Sequence, residues 1–142
     1  MDWITGQIAI GDIDDALNHE ALRTEGITAV LGLNHFPTFI EGSGFEWRRV
    51  ELLDGGGNAL SDLRRALDTL DAFLLGGHRV LVHCTEGVSR APFVIACHLA
   101  ATRRWELDEA LTFVTARRTI ANPHPQLRPL WEGLRSAPPT RI

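Results

Sequence analysis

Arg79-Val80-Leu81-Val82-His83-Cys84-Thr85-Glu86-Gly87-Val88-Ser89-Arg90-Ala91-Pro92 is the stretch on which the reading of this chain turns. Its first five residues read as a short apolar strand, the pattern of a strand buried on both faces. Ala91-Pro92 opens a helix running from Phe93 to about Arg104, with proline at a first-turn position where its missing N–H costs little. Between strand and helix lies the loop Cys84 to Arg90. A strand that passes through a short loop into a helix places that loop at the carboxyl edge of a sheet, where α/β folds gather their ligand sites.

The chain on either side fits the same architecture. Gln7 to Ile10 reads as a strand, Ala16 to Glu25 as a helix ended by Gly26, and Ile27 to Leu33 as a β-branched strand buried on both faces. Residues 34–44, with Pro37, Gly42 and Gly44, read as a loop, and Phe45 to Leu53 as a strand whose alternation slips at Arg48 and Arg49. After the flexible run Asp54-Gly55-Gly56-Gly57-Asn58, leucines 60, 63, 67, 70 and 74 mark one face of a helix stopped by Gly76-Gly77. Leu107, Leu111 and Val114 mark another helix, about Gln126 to Leu134 a last one, and Pro138-Pro139 a loose tail. Strands alternating with helices predict an α/β fold. The expectation is one small domain over residues 1–142, with a mixed, mostly parallel central sheet of about four or five strands flanked by helices.

The net charge of −4 offers no global basic field to attract nucleic acid, so any anion must be held by a local site. All 14 basic residues are Arg, but they are scattered and mark no extended phosphate-binding surface. No run approaches the roughly 18 apolar residues that would span a bilayer. Met1 to Gly6 carries neither a basic nor an apolar leader segment, and the only cysteines are Cys84 and Cys97. These features predict a cytoplasmic protein with free thiols, and, for want of an apolar surface stripe, a monomer.

The loop has its own chemistry. Its backbone N–H groups can converge on one point, and the helix N-terminus adds partial positive charge, which together make a cradle for a phosphate-like anion. Gly87 lets the chain turn and approach that anion. Thiolate is the nucleophilic form of cysteine, and a helix N-terminus and a neighbouring cation both favour it. Arg90 brings a planar guanidinium that grips two phosphate oxygens and supports the transferring charge. Ser89 offers a hydroxyl to the loop or to the thiolate. Cys84 alone would read as a core cysteine; five residues including Gly87 between it and Arg90, placed between a strand and a proline-opened helix, reverse that reading.

His83-Cys84-Thr85-Glu86-Gly87-Val88-Ser89-Arg90 resembles the signature loop of the dual-specificity phosphatases, within the cysteine-dependent protein tyrosine phosphatase superfamily. Gln7 to Asp12, Gly26 to Leu31, and Glu109-Ala110-Leu111 through Arg117-Arg118 match that family's elements in order. The resemblance implies a protein tyrosine phosphatase-like fold, a shallow cleft, no metal or organic cofactor, and a phosphorylated substrate. It also implies a phosphate cradle made by Thr85, Glu86, Gly87, Val88, Ser89 and Arg90, and a general acid on an upstream loop. Asp54 fits that place, with Gly55-Gly56-Gly57 to let its loop close; Asp62, at the start of a helix, is the fallback. The implied reaction has two steps. Cys84 attacks phosphorus while Asp54 protonates the leaving group, and water then hydrolyses the phosphocysteine.

One position departs from the family. A Ser or Thr usually follows the signature Arg and helps the sulfur leave; here Ala91 stands there, and Ser89 is a candidate to compensate. An alternative reading follows, a phosphate-binding module with little turnover. A sulfur-transfer or arsenate-reducing enzyme is disfavoured by Asp54 and His83. His83 is read as orienting the loop through hydrogen bonds. Cys97 is read as core, with a regulatory disulfide to Cys84 the lesser alternative. Arg48, Arg49, Arg117 and Arg118 are read as a solvated face more readily than as a cleft rim. His19, His35, His78, His98 and His124 show no metal-ligand spacing. Glu86 and the absence of Lys match inositol phosphates poorly, so the expected substrate is a phosphoprotein, with phosphotyrosine and phosphoserine/threonine both open. Phe36, Phe39 and Trp47 are read as core packing first, and as shaping the cleft only second.

Overall fold

Val80–His83, Ala29–Gly32 and Ile8–Gly11 are buried along their whole length, as expected of parallel strands covered on both faces. In the computed structural model, which describes residues 1–35 and 44–136, they form the middle of a five-stranded sheet. The strands are β1 (Asp2–Trp3), β2 (Ile8–Gly11), β3 (Ala29–Gly32), β4 (Glu46–Arg49) and β5 (Val80–His83), in the order β1-β2-β5-β3-β4. Only β1 runs antiparallel, so the sheet is mixed and mostly parallel as expected. Pro37, Gly42, Phe36, Phe39 and Pro138-Pro139 lie outside the described residues.

Six helices accompany the strands among the described residues: α1 (Ile13–Leu17), α2 (His19–Thr24), α3 (Leu60–Leu75), α4 (Arg90–Arg103), α5 (Leu107–Arg117) and α6 (Arg128–Ser136), the last preceded by a 3-10 turn at Pro125–Leu127. The alternating side chains of the strands divide them between two faces. Ala9, Val30 and Leu81 pack with Ala16 and Leu22 of α1 and α2. Ile8, Ile10, Leu31, Val80 and Val82 face the larger core formed with α3 to α6. Helix α4 is buried continuously from Ala91 to Ala100.

Three elements differ from the sequence expectation, each for a local reason. The helix expected over Ala16 to Glu25 is two short helices. Asn18, at φ −90° and ψ 78°, closes α1 and caps α2, its side chain accepting from the Ala21 N–H at 3.2 Å. Helix α1 starts earlier because Asp12 and Asp15 form a reciprocal capping box, at 2.8 and 3.0 Å. The strand expected over Phe45 to Leu53 ends its ladder at Arg49, although Val50 and Leu52 still donate to Gly32 and Leu33. Strand β1, two residues long, is too short to show any period in the sequence.

The sheet order sets the place of the loop. β5 lies between β2 and β3, with His83 in register with Gly11 on one side and Gly32 on the other. A Cβ on Gly32 would come within 2.9 Å of His83 Nε2, so glycine there makes room for the ring. Residues 84–89 therefore leave the sheet at its centre, between the carboxyl ends of two glycine-flanked strands.

Candidate active site

Cys84 is 2% exposed and sits at the floor of a cleft of about 500 Å3. Its sulfur accepts a hydrogen bond from the Ala91 N–H in the first turn of α4, at 3.5 Å. Ser89, the N-cap residue of that helix, makes no side-chain cap, because its hydroxyl is engaged elsewhere. With Pro92 lacking an N–H and the Phe93 N–H donating to the Ser89 carbonyl at 3.1 Å, the helix end turns its Ala91 N–H and the positive end of its dipole toward the sulfur.

The loop is shaped from outside. Four successive carbonyls each accept from a donor behind the loop. The Thr85 carbonyl accepts from the Ile13 N–H at 3.0 Å, and the Val88 carbonyl from the Asn122 N–H at 2.7 Å. Between them, Arg118 Nε donates to the Gly87 carbonyl at 2.7 Å and its Nη2 to the Glu86 carbonyl at 3.4 Å. With the carbonyls so held, no amide from Thr85 to Ser89 donates to a protein acceptor among the described residues. Such a set of spare backbone donors binds a tetrahedral oxyanion. Gly87 adopts φ +67°, and a Cβ there would meet both the Arg118 guanidinium and the Gly11 carbonyl oxygen. Thr85, Glu86, Val88, Ser89 and Arg90 line the cleft, whereas Gly87 is buried at its back.

Arg90 is fixed by two of its nitrogens: Nη1 donates to the Leu52 carbonyl at 3.1 Å and Nη2 to Thr85 Oγ1 at 3.2 Å. Its Nε is buried without a partner among the described residues, a donor left over for a ligand. His83 is fully buried, its Nδ1 3.2 Å from the Cys84 carbonyl oxygen. Burial pushes its pKa below the ordinary imidazole value, so the ring is neutral and the Nδ1 proton faces that carbonyl. The contact ties the ring to the first residue of the loop.

Asp54 lines the same cleft and accepts a short hydrogen bond, 2.5 Å, from the Ser89 hydroxyl. Ser89 Oγ in turn accepts from the His124 N–H at 2.8 Å. The one hydroxyl proton of Ser89 is therefore spent on Asp54 rather than on the sulfur, which corrects the expected role of this residue. The glycine loop after Asp54 is also more constrained than its composition implies. The Asn58 side chain exchanges two 2.8 Å hydrogen bonds with the Leu53 backbone, and the Gly56 N–H donates to Gln126 Oε1 at 3.0 Å. Asp62, the fallback acid, caps α3 through the Ala59 N–H at 2.9 Å and faces a different cavity.

The four arginines of the expected solvated face separate. Arg48, Arg49 and Arg117 are exposed and do not line the cleft. Arg118 is only 5% exposed, and its Nη1 pairs with Asp2 of β1 at 2.9 Å. Trp47 packs with His19 and Phe45, away from the cleft. Cys97 is completely buried in α4, where burial raises its thiol pKa well above the ordinary value, and both cysteines are free. Among the described residues no group of three or more His, Cys, Asp or Glu side chains is placed to hold a metal ion.

Arg118, read from the sequence as part of a solvated face, instead lies buried behind the loop and holds two of its carbonyls. Leu107, Ala110 and Val114 are the buried residues of α5, and position 118 continues that stripe at helical spacing. A charge on an apolar stripe is the available signal. Arg118→Met, which keeps bulk but removes the donors to two loop carbonyls, is expected to lower kcat/KM for an aryl phosphate by roughly ten-fold. An unchanged kcat/KM in a folded variant would reduce Arg118 to a packing residue.

Comparison with known proteins follows the same outline. The family model described as "Dual specificity phosphatase, catalytic domain" matches residues 10–133. Dual specificity protein phosphatase 1-A of Xenopus laevis is 33% identical over 117 residues, which are 81% of this chain and 31% of that protein. Human dual specificity protein phosphatase 1 is 32% identical over the same share of this chain, and 32% of its own length is matched. The chain thus spans about a third of the length of these curated relatives. A crystal structure of a mouse putative dual specificity phosphatase, complexed with zinc tungstate, superposes with a TM-score of 0.84 at 24% identity, covering 94% of this chain and 84% of that one.

Proposed function

Since the chain belongs to the dual specificity phosphatase family, we propose that it is a cysteine-dependent protein phosphatase, hydrolysing phosphotyrosine, phosphoserine/threonine or both through a phosphocysteine intermediate. One observation carries the reading: Cys84, Arg90 and Asp54 open into the same cleft, beside loop amides that have no protein acceptor among the described residues.

The residues divide the reaction as follows. Substrate phosphate accepts from the loop amides and from the Arg90 guanidinium, whose Nε has no other partner among the described residues. The Cys84 thiolate attacks phosphorus, the bond from phosphorus to the ester oxygen breaks, and Asp54 gives that oxygen its proton. Asp54, now a carboxylate, takes a proton from water as the water oxygen attacks phosphorus. The S–P bond breaks, and inorganic phosphate leaves with Cys84 restored as thiolate. Backbone amides and Arg90 hold the three non-bridging oxygens throughout.

Ala91 favours a second reading, a phosphate-binding module with little turnover. The helix amide at position 91 still reaches the sulfur, but no hydroxyl accompanies it, and Ser89 is committed to Asp54. Acid quenching during turnover of an aryl phosphate, followed by peptide mass analysis, addresses both readings. A phosphorylated Cys84 peptide is expected, and Ala91→Ser is expected to lower its steady-state fraction several-fold while raising kcat. An unlabelled Cys84 would remove the intermediate; turnover with an unaltered fraction in Ala91→Ser would make the missing hydroxyl irrelevant.

The proposal extends to a cytoplasmic monomer that acts on phosphoproteins. The free thiols suit a reducing compartment, and the net charge of −4 gives no attraction to nucleic acid. Elution from a sizing column at twice the mass of one chain would remove the monomer.

A further inference from the structure

Resting on the phosphatase reading above, we propose that His124 meets the leaving side of the substrate and selects phosphates carried on an aromatic ring, so that phosphotyrosine is preferred over phosphoserine and phosphothreonine. The direction of departure comes from the chemistry. Attack by Cys84 from the floor of the cleft sends the ester oxygen away from the sulfur, toward the group that protonates it. That group is Asp54, whose next residue, Gly55, packs against the His124 ring. A Cβ on Gly55 would stand 3.5 Å from both Cε1 and Nε2 of His124. Whatever the ester oxygen is attached to therefore leaves the cleft beside this imidazole.

The ring is held as a wall. Its Nδ1 accepts from the Gln126 N–H at 3.1 Å, and its backbone N–H is fixed by Ser89 Oγ at 2.8 Å. An acceptor at Nδ1 places the neutral ring's proton on Nε2. The two neighbours of His124 in the chain, Pro123 and Pro125, also line the cleft, and with Val88 they give this side rigid apolar surface. A flat side chain between two prolines suits an aryl group, which gains stacking and area burial there that a serine or threonine side chain cannot supply. Reach works in the same direction. Cys84 is only 2% exposed, and a phosphotyrosine carries its phosphate beyond a ring, whereas a phosphoserine holds it close to its own backbone.

Binding to the Cys84→Ser chain, measured by calorimetry, separates recognition from turnover. One peptide sequence is presented with phosphotyrosine, phosphoserine or phosphothreonine, with inorganic phosphate as a fourth ligand. The phosphotyrosine peptide is expected to bind about ten-fold more tightly than the other two. His124→Asn removes the ring but retains an acceptor for the Gln126 N–H, so the turn should persist. Adding it is expected to cut the phosphotyrosine preference by roughly five-fold, and His124→Phe to preserve it better than His124→Asn. Equal affinities for the three peptides, or a preference unmoved by His124→Asn, would overturn the assignment of His124. Failure of inorganic phosphate and of all three peptides to bind would instead remove the phosphatase reading beneath it.

Discussion

Cys84→Ser is expected to abolish hydrolysis of an aryl phosphate, lowering kcat by about ten-thousand-fold or more. A hydroxyl in place of the thiolate needs a base to activate it, and none is placed to do so among the described residues. His83 directs its Nδ1 at the Cys84 carbonyl, and Asp54 is held by Ser89. Binding should survive the change, because the loop amides and Arg90 do not depend on sulfur. The informative comparison is therefore of two quantities: turnover, which should vanish, and affinity for phosphate, which should remain within about a factor of ten. Equal turnover by the two proteins would remove Cys84 as nucleophile.

Asp54→Asn should slow hydrolysis of an alkyl phosphate, whose leaving group needs a proton, by roughly 100-fold or more. A p-nitrophenyl ester, which departs readily as an anion, should be slowed much less. The substitution isolates the proton because an Asn side-chain oxygen can still accept from Ser89, leaving the loop in place. Equal slowing of both esters would indicate a disturbed loop rather than a lost acid. An unchanged rate on both would mean that the proton comes from elsewhere; Asp62 is poorly placed to supply it, since it caps α3 and faces another cavity.

Local order in the chain made much of this site legible. The apolar strand, the glycine-containing loop and the proline-opened helix are successive in sequence, so the loop, its helix and the floor position of Cys84 follow from neighbouring residues. Asp54 was legible through family resemblance and its glycine-rich context. The donors that shape the loop were not, because each comes from a distant segment: Ile13 after β2, and Arg118 and Asn122 after α5. Nothing in the spacing around Cys84 says which groups dock on its carbonyls. The destination of the Ser89 proton was hidden for the same reason, since it depends on a residue 35 positions away. Asn18 was a missed local signal: a residue that favours caps stood inside an expected helix, and the structure uses it as one.

The outside-in construction of the loop bears on how the protein loses and regains activity. The strand, the loop and α4 could assemble locally, yet that fragment would lack the long-range contacts through Ile13, Arg118 and Asn122 that turn the loop carbonyls outward. Catalytic competence is in this sense a late property of folding, gained when segments far apart in sequence close on one another. It should also be an early property lost, since fraying of β1, which holds Arg118 through Asp2, would slacken the anion cradle while the hydrophobic core was still intact.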